Sequence, residues 1–154
     1  MDTYRTVNDI LVNLFHEIWK LEEKALITED YQDISVNDMH VIEAVGLEGE
    51  KNMSRIAKML DITVGSLTTS MNGLVKKGYV IRERSEEDRR VVTVRLTKKG
   101  EQAYHHHARF HELMANAALK SLSDQEIPAV TKTLASLAEF FRGYDQKSTP
   151  LTSA

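Results

Sequence analysis

The sequence predicts a mainly α-helical fold with one small two-stranded wing set into its middle. Three observations predict it. Apolar residues recur at three- and four-residue steps over most of the chain. That period gives way to β-branched and aromatic residues only between Tyr79 and Leu96. The charge is segregated: residues 51–100 hold 12 Lys and Arg against 5 Asp and Glu, a net of +7, whereas the remainder carries −10 and the whole chain −3.

The elements follow in order. Val7, Ile10, Leu11, Leu14, Phe15, Ile18 and Leu21 mark an amphipathic helix over residues 4 to about 26, with neither Gly nor Pro inside it. Ser35 and Asp38 have capping-box spacing, and Met39, Ile42 and Val45 continue a helix over about 36–46, to Gly46. Asn52 can cap a short helix carrying Ile56, Ala57 and Leu60, and Thr63 can cap another carrying Val64, Leu67, Met71, Leu74 and Val75 up to Gly78. Tyr79–Arg84 and Val91–Leu96 read as strands joined by the polar loop Ser85-Glu86-Glu87-Asp88-Arg89-Arg90. Thr97 starts a long helix, Ser123 with Glu126 caps a last one holding Ile127, Val130, Leu134, Leu137, Phe140 and Phe141, and the tail from Gln146 is expected to be irregular.

The totals bound the function. With 154 residues, 42% hydrophobic and 28% charged, the chain has the composition of one soluble globular domain and is too short for two full ones. Its start lacks a basic segment followed by an apolar run, and no stretch of about 18 apolar residues occurs, so a cytoplasmic protein with no membrane partner is expected. The absence of cysteine excludes disulfides, thiolate metal sites, cysteine nucleophiles and thiol redox sensing.

A basic middle between acidic ends is the footprint of a DNA-reading module on a scaffold with another task. Two helices joined by a tight turn and followed by a wing form a winged helix-turn-helix over residues 36–100, which places the second helix in a major groove. That helix, residues 64–77, exposes Ser66, Thr68, Thr69, Ser70, Asn72, Gly73, Lys76 and Lys77, a poor set for helix stability. Short hydroxyls and an amide can touch base edges and phosphates, and Gly65 in the first turn leaves room for close backbone approach. In the wing, Asp88 can hold the guanidinium of Arg90 extended, which suits the negative potential of a minor groove. The candidate DNA-binding residues are Asn52, Thr63, Ser66, Thr68, Thr69, Ser70, Asn72, Lys76, Lys77, Arg82, Arg84, Asp88, Arg89 and Arg90. A loosely specified surface helix and a solvated hairpin tip are the bland readings of the same residues. Their succession along the chain favours DNA.

Five stretches resemble the MarR family: Asn52-Met53-Ser54-Arg55-Ile56-Ala57-Lys58-Met59-Leu60, the helix from Thr63, Leu74-Val75-Lys76-Lys77-Gly78-Tyr79-Val80, Glu87-Asp88-Arg89-Arg90-Val91 and Leu96-Thr97-Lys98-Lys99-Gly100. The similarity runs from about residue 5 to 145; Asp61 stands where many helix-turn-helix sequences have Gly. The resemblance implies a MarR-like homodimer on pseudo-palindromic double-stranded DNA. It also implies a single domain over residues 1–154, in which 4–30 and 98–145 form a helical dimerisation region. An effector pocket would lie between dimerisation and DNA-binding parts.

Within that family, Asp33-Ile34-Ser35, Asp38-Met39-His40, Ile42, the run Ile62 to Asn72 and the run His106 to Met114 resemble repressors of fatty-acid biosynthesis genes. That resemblance implies long-chain acyl-acyl carrier protein as corepressor. The pocket residues it suggests are Leu14, Ile18, Met39, His40, His107, Phe110, His111 and Met114; for any one apolar member, plain core is the simpler reading.

His105, His106, His107 and His111 cluster, with His107 and His111 four apart on one helical face. Paired imidazoles at that spacing can bind zinc, completed by His40 and the Glu22-Glu23 pair, as in zinc-sensing relatives. Hydrogen bonding among helices explains the same residues more simply, so no metal and no other cofactor is assigned, and a zinc-responsive regulator stays the alternative. An enzyme is not expected: there is no nucleophile elbow, no Gly-rich phosphate loop and no alternation of strands with helices. A helical protein-interaction module leaves the Ser/Thr-rich helix and basic wing unexplained.

Overall fold

The computed structural model describes residues 2–145, so the expectation for the tail from Gln146 lies outside the described residues. The elements run α1 (Thr3–Leu26), a 3-10 turn (Glu29–Tyr31), α2 (Val36–Val45), β1 (Lys51–Asn52), α3 (Met53–Leu60), α4 (Val64–Lys76), β2 (Val80–Arg84), β3 (Val92–Leu96), α5 (Lys98–Lys120) and α6 (Ile127–Asp145). Two compact units divide them, one ending at His111 within α5 and the other beginning at Glu112.

Each helix of the first unit up to α4 starts where a side chain satisfies its free N–H groups. The carboxylate of Asp2 accepts from the N–H of Tyr4 at 3.1 Å. Ser35 and Asp38 form the reciprocal capping box, at 3.1 and 3.0 Å. Asn52 accepts from the N–H of Arg55 at 2.8 Å and Thr63 from that of Ser66 at 3.1 Å. The turn between α3 and α4 is made by Asp61, whose φ of 53° makes it the one non-glycine with positive φ among the described residues. Asp tolerates the left-handed region better than most side chains, so the turn closes without glycine.

The core gathers Leu26, Ile34, Met39, Ile42, Val45, Ile56, Leu67, Met71, Leu74, Val80, Val94 and Leu96, all buried. α2 lies at its centre, packed on α1, α3, α4 and β3. The sheet has three antiparallel strands in the order β1-β3-β2, with Lys51 opposite Val94 and Arg82 opposite Val94 from the other side. β1 was not expected: two residues carry no alternation that a pattern could reveal.

Tyr79 stands outside the strand predicted for it. Its N–H returns to the Leu74 carbonyl at 2.9 Å over Gly78, whose φ is 80°, so it closes α4 before the wing begins. Val91 closes the hairpin loop, its N–H on the Asp88 carbonyl and its carbonyl on Ser85 N–H, both at 2.9 Å. Thr97 accepts from the N–H of Gly100 and donates to the Gly78 carbonyl, joining the start of α5 to the end of α4. A Cβ on Gly100 would lie 2.1 Å from the Tyr79 carbonyl oxygen, so only glycine lets α5 pass there.

In the second unit Ser123 donates its N–H and hydroxyl to the Glu126 carboxylate at 2.8 and 2.7 Å, and α6 begins one residue later, at Ile127. These bonds hold the Glu126 carboxyl below its usual range. Along α6, Val130, Leu134, Phe140 and Tyr144 are exposed. No helix among the described residues is long and apolar enough to cross a membrane.

Candidate functional site

α4 presents one face to the core through Leu67, Met71 and Leu74 and turns its polar face outward. Ser66, Thr69, Asn72 and Lys76 are exposed, and Thr68 and Ser70 half-buried. Thr68 and Thr69 donate their hydroxyls to the carbonyls of Val64 and Gly65, at 2.7 and 3.4 Å, which leaves oxygen lone pairs pointing away from the helix. Thr63 bonds both the N–H and the hydroxyl of Ser66, so it shapes the start of the helix. Lys77 turns aside to the Asp38 carboxylate at 3.5 Å.

Beside α4, a cleft of about 640 Å³ opens between the helices and the wing. Asn52, Met53, Ser54, Val64, Thr68, Arg82, Glu83, Arg84, Arg90, Val91 and Val92 line it. Three arginines thus meet two helix starts, a surface suited to the sugar-phosphate backbone. Asn52 caps α3 with its amide oxygen, so one of its acceptor positions serves the fold. Ser54 lines the cleft and was missed, because a lone serine in a helix's first turn carries no signal of its own.

The wing loop is held differently from the expectation. Asp88 accepts the backbone N–H of Arg90 at 2.9 Å, so the carboxylate fixes the loop rather than the guanidinium. An Asx turn needs only that N–H, and the arginine head is left to reach outward. Arg84, Asp88, Arg89 and Arg90 are all exposed.

A second polar constellation lies inside the first unit. Glu22, a buried residue of α1, meets three imidazoles at one carboxylate oxygen: His107 Nε2 at 3.0 Å, His40 Nε2 at 3.3 Å and His111 Nε2 at 3.4 Å. His107 and His111 face each other, Nε2 to Nε2, at 2.8 Å. Burial pushes the Glu22 carboxyl up, but hydrogen bonds from His107 and His40 outweigh it and hold the group below its usual range. The donor atoms of Glu22, His107 and His111 lie within 4.8 Å of one another. Zinc–ligand bonds of about 2.0–2.2 Å set tetrahedral edges near 3.4 Å, which these separations approach. Glu23 is exposed and does not join them, and His106 turns to the Ala25 carbonyl at 2.9 Å.

The remaining pocket candidates divide. Met39 is packed into the core, Ile18 and Phe110 are half-buried, Leu14 is exposed, and Met114, also exposed, belongs to the second unit.

A helix with an outward hydroxyl face, an arginine-bearing hairpin beside it and a cleft between them lined by three arginines define a winged helix-turn-helix regulator that binds DNA. The family model described as transcriptional regulator SarA/Rot matches residues 20–107. The HTH-type transcriptional regulator YfiV of Bacillus subtilis, itself uncharacterised, is 30% identical over 145 residues, covering 89% of this chain and 91% of that protein. Among solved structures, Streptococcus pneumoniae FabT in complex with DNA has 38% identity and a TM-score of 0.84, covering 92% of this chain and 99% of that one. A point mutant of MarR from E. coli, complexed with operator DNA, shares the fold at 22% identity and a TM-score of 0.60, covering 89% of this chain and 99% of that one. The chain belongs to the MarR/SarA family of helix-turn-helix transcriptional regulators. It is a regulator and not an enzyme.

Proposed function

We propose that this chain is a homodimeric repressor of fatty-acid biosynthesis genes, with long-chain acyl-acyl carrier protein as corepressor. The likeness to FabT carries the reading: 38% identity extends over nearly the whole of both chains, far beyond the DNA-reading module. Pairing of two copies is supported by apolar side chains that a monomer would leave in water. Val7, Ile10 and Leu14 of α1 and Val130, Leu134 and Phe140 of α6 are between 37% and 59% exposed. A two-fold dimer presents two reading helices, so its operator is a pseudo-palindrome with half-sites about one helical turn apart. Each methylene of an acyl chain buried by the protein contributes roughly 0.8 kcal/mol, so chain length is sensed steeply. For the ligand to favour repression it must bind the DNA-competent dimer more tightly, and DNA then raises its affinity by the same factor. Titrating operator affinity with acyl carrier protein bearing a long, a short and no acyl chain tests this. Tightening by the long chain alone is expected; equal effects of all three would overturn the acyl reading.

One observation favours a second effector. The convergence of Glu22, His107 and His111, with His40 on the same Glu22 oxygen, supports a zinc-responsive regulator in which the first three hold the ion. Stoichiometric zinc that changes operator affinity, with the change abolished by His111→Ala, would establish it over the acyl reading. Operator affinity unmoved by zinc or chelator would leave the histidines as internal hydrogen-bonding groups.

A further inference from the structure

Arg82 of β2 is anchored by a neutral group. Strand alternation puts Val80, Arg82 and Arg84 on one face of the sheet, and the register sets Arg82 opposite buried Val94. That face packs toward the helices, and Arg82 is one of the residues lining the cleft beside α4. There its Nη1 donates to Oδ1 of Asn72 in the third turn of α4, at 2.7 Å. On the opposite face of the same hairpin Arg95 meets a carboxylate, Glu83, at 3.5 Å. The two anchors differ in one respect that matters for a polyanion: a carboxylate cancels the arginine's charge, whereas an amide fixes its direction and leaves the full charge outward.

We infer that Asn72 is a positioning residue that holds Arg82 for a DNA phosphate, instead of reading a base itself. Two further points support this. An asparagine that reads adenine uses both its oxygen and its amino group on the base edge, and here the oxygen already accepts from Arg82. Recognition helices reach base edges with their N-terminal residues, which in α4 are the hydroxyls of Ser66, Thr68 and Thr69. Asn72 therefore braces the helix against the wing and orients the cation between them. The inference rests on DNA binding alone and is independent of the effector.

The test compares Asn72→Ala, Arg82→Ala, the double variant and Asn72→Asp. Each is bound to operator and to random-sequence duplex over a salt series and selected against a randomised operator library; both residues are exposed, and thermal melts check folding. Arg82→Ala should weaken binding about tenfold on both DNAs and lower the salt slope by about one. Asn72→Ala should weaken both by about fivefold with unchanged base preference, and the double variant should be no weaker than Arg82→Ala. Asn72→Asp should lower the salt slope as Arg82→Ala does, since the pair becomes neutral. A changed base preference in Asn72→Ala, additive losses in the double variant, or no effect of either single change would overturn the inference.

Discussion

The chain concentrates polar groups in two places, and it builds them in opposite ways. On the α4–wing face the groups are fixed by backbone and amide contacts that leave their function outward: Thr68 donates into its own helix, Asp88 takes a backbone N–H, and Asn72 holds Arg82 without neutralising it. Around Glu22 the groups satisfy one another, with three imidazoles on one carboxylate oxygen and a further contact from Glu43 to His107 at 3.5 Å. The first arrangement is open to solvent and to a polyanion. The second is shielded at its centre, where Glu22 and His107 are buried while His40 and His111 stay partly exposed, so the Glu22–His107 contact is the stronger one and removing either partner is costly. A DNA-binding surface and a cluster that could respond to an effector therefore require different experiments: salt moves the first, and loss of a partner moves the second.

The largest effect expected is on the buried cluster. His107→Ala removes a side chain only 1% exposed and takes one partner from Glu22, so unfolding free energy should fall by about 3 kcal/mol, measured by urea denaturation in the presence of chelator. A loss below about 0.5 kcal/mol would mean that the cluster contributes nothing to the fold of the first unit. Next is Arg90→Ala on the open face. Operator affinity should fall about thirtyfold, near 2 kcal/mol, and the loss should shrink as salt rises, while unfolding by urea stays unchanged. If salt leaves the Arg90 loss constant, the contrast between an open and a shielded constellation breaks at the wing.

Much of this contrast was legible in the sequence, because both constellations draw on helices whose period is plain. His107 and His111 are one turn apart, and the hydroxyl run from Ser66 to Ser70 stands out for its poor helix propensity. What periodicity cannot show is the partner across space. Glu22 and Glu23 were indistinguishable until the packing of α1 turned one inward. The same limit hid the Asn72–Arg82 bond, which joins residues ten apart on different elements, and the choice of Asp88 for a backbone N–H over a guanidinium. At Asp61 the residue type gave no sign of the backbone: it stands where many helix-turn-helix sequences have Gly, and the left-handed conformation is adopted without glycine.

Two glycines sharpen the comparison at smaller amplitude. A Cβ on Gly100 would strike the Tyr79 carbonyl, an internal reason for glycine, whereas a Cβ on Gly65 would come no closer than 3.9 Å to Thr63 Oγ1. Nothing among the described residues requires Gly65, and alanine there should raise stability by about 0.5 kcal/mol. If DNA backbone approaches this turn, Gly65→Ala should nevertheless bind operator about tenfold more weakly, near 1.4 kcal/mol. A variant both more stable and fully competent in a gel shift would show that the first turn of α4 stays clear of DNA.

A last effect concerns the joint beneath the wing. Tyr79, buried at the end of α4, donates its hydroxyl to Asp33 at 2.7 Å, and Lys99 lies over its ring at 4.1 Å while reaching the same carboxylate at 3.4 Å. The Tyr79 hydrogen bond, followed by Lys99, holds the Asp33 carboxyl below its usual range, and burial together with Asp33 pushes the Tyr79 hydroxyl well above its own. Tyr79→Phe should cost about 1 kcal/mol at neutral pH. The sign at each end follows from linkage. A depressed carboxyl contributes above the unfolded value of about 3.9 and is lost as pH falls through the folded one, so the gap between wild type and variant should close below about pH 4. A raised phenol contributes below about 10 and is lost as pH climbs toward the folded value, so the gap should close again in strong alkali. Urea midpoints across pH for the two proteins measure the gap directly. A constant difference from acid to alkali would show that the hydroxyl acts through packing alone, and that Asp33 is no part of the joint holding α4, the wing and the start of α5 together.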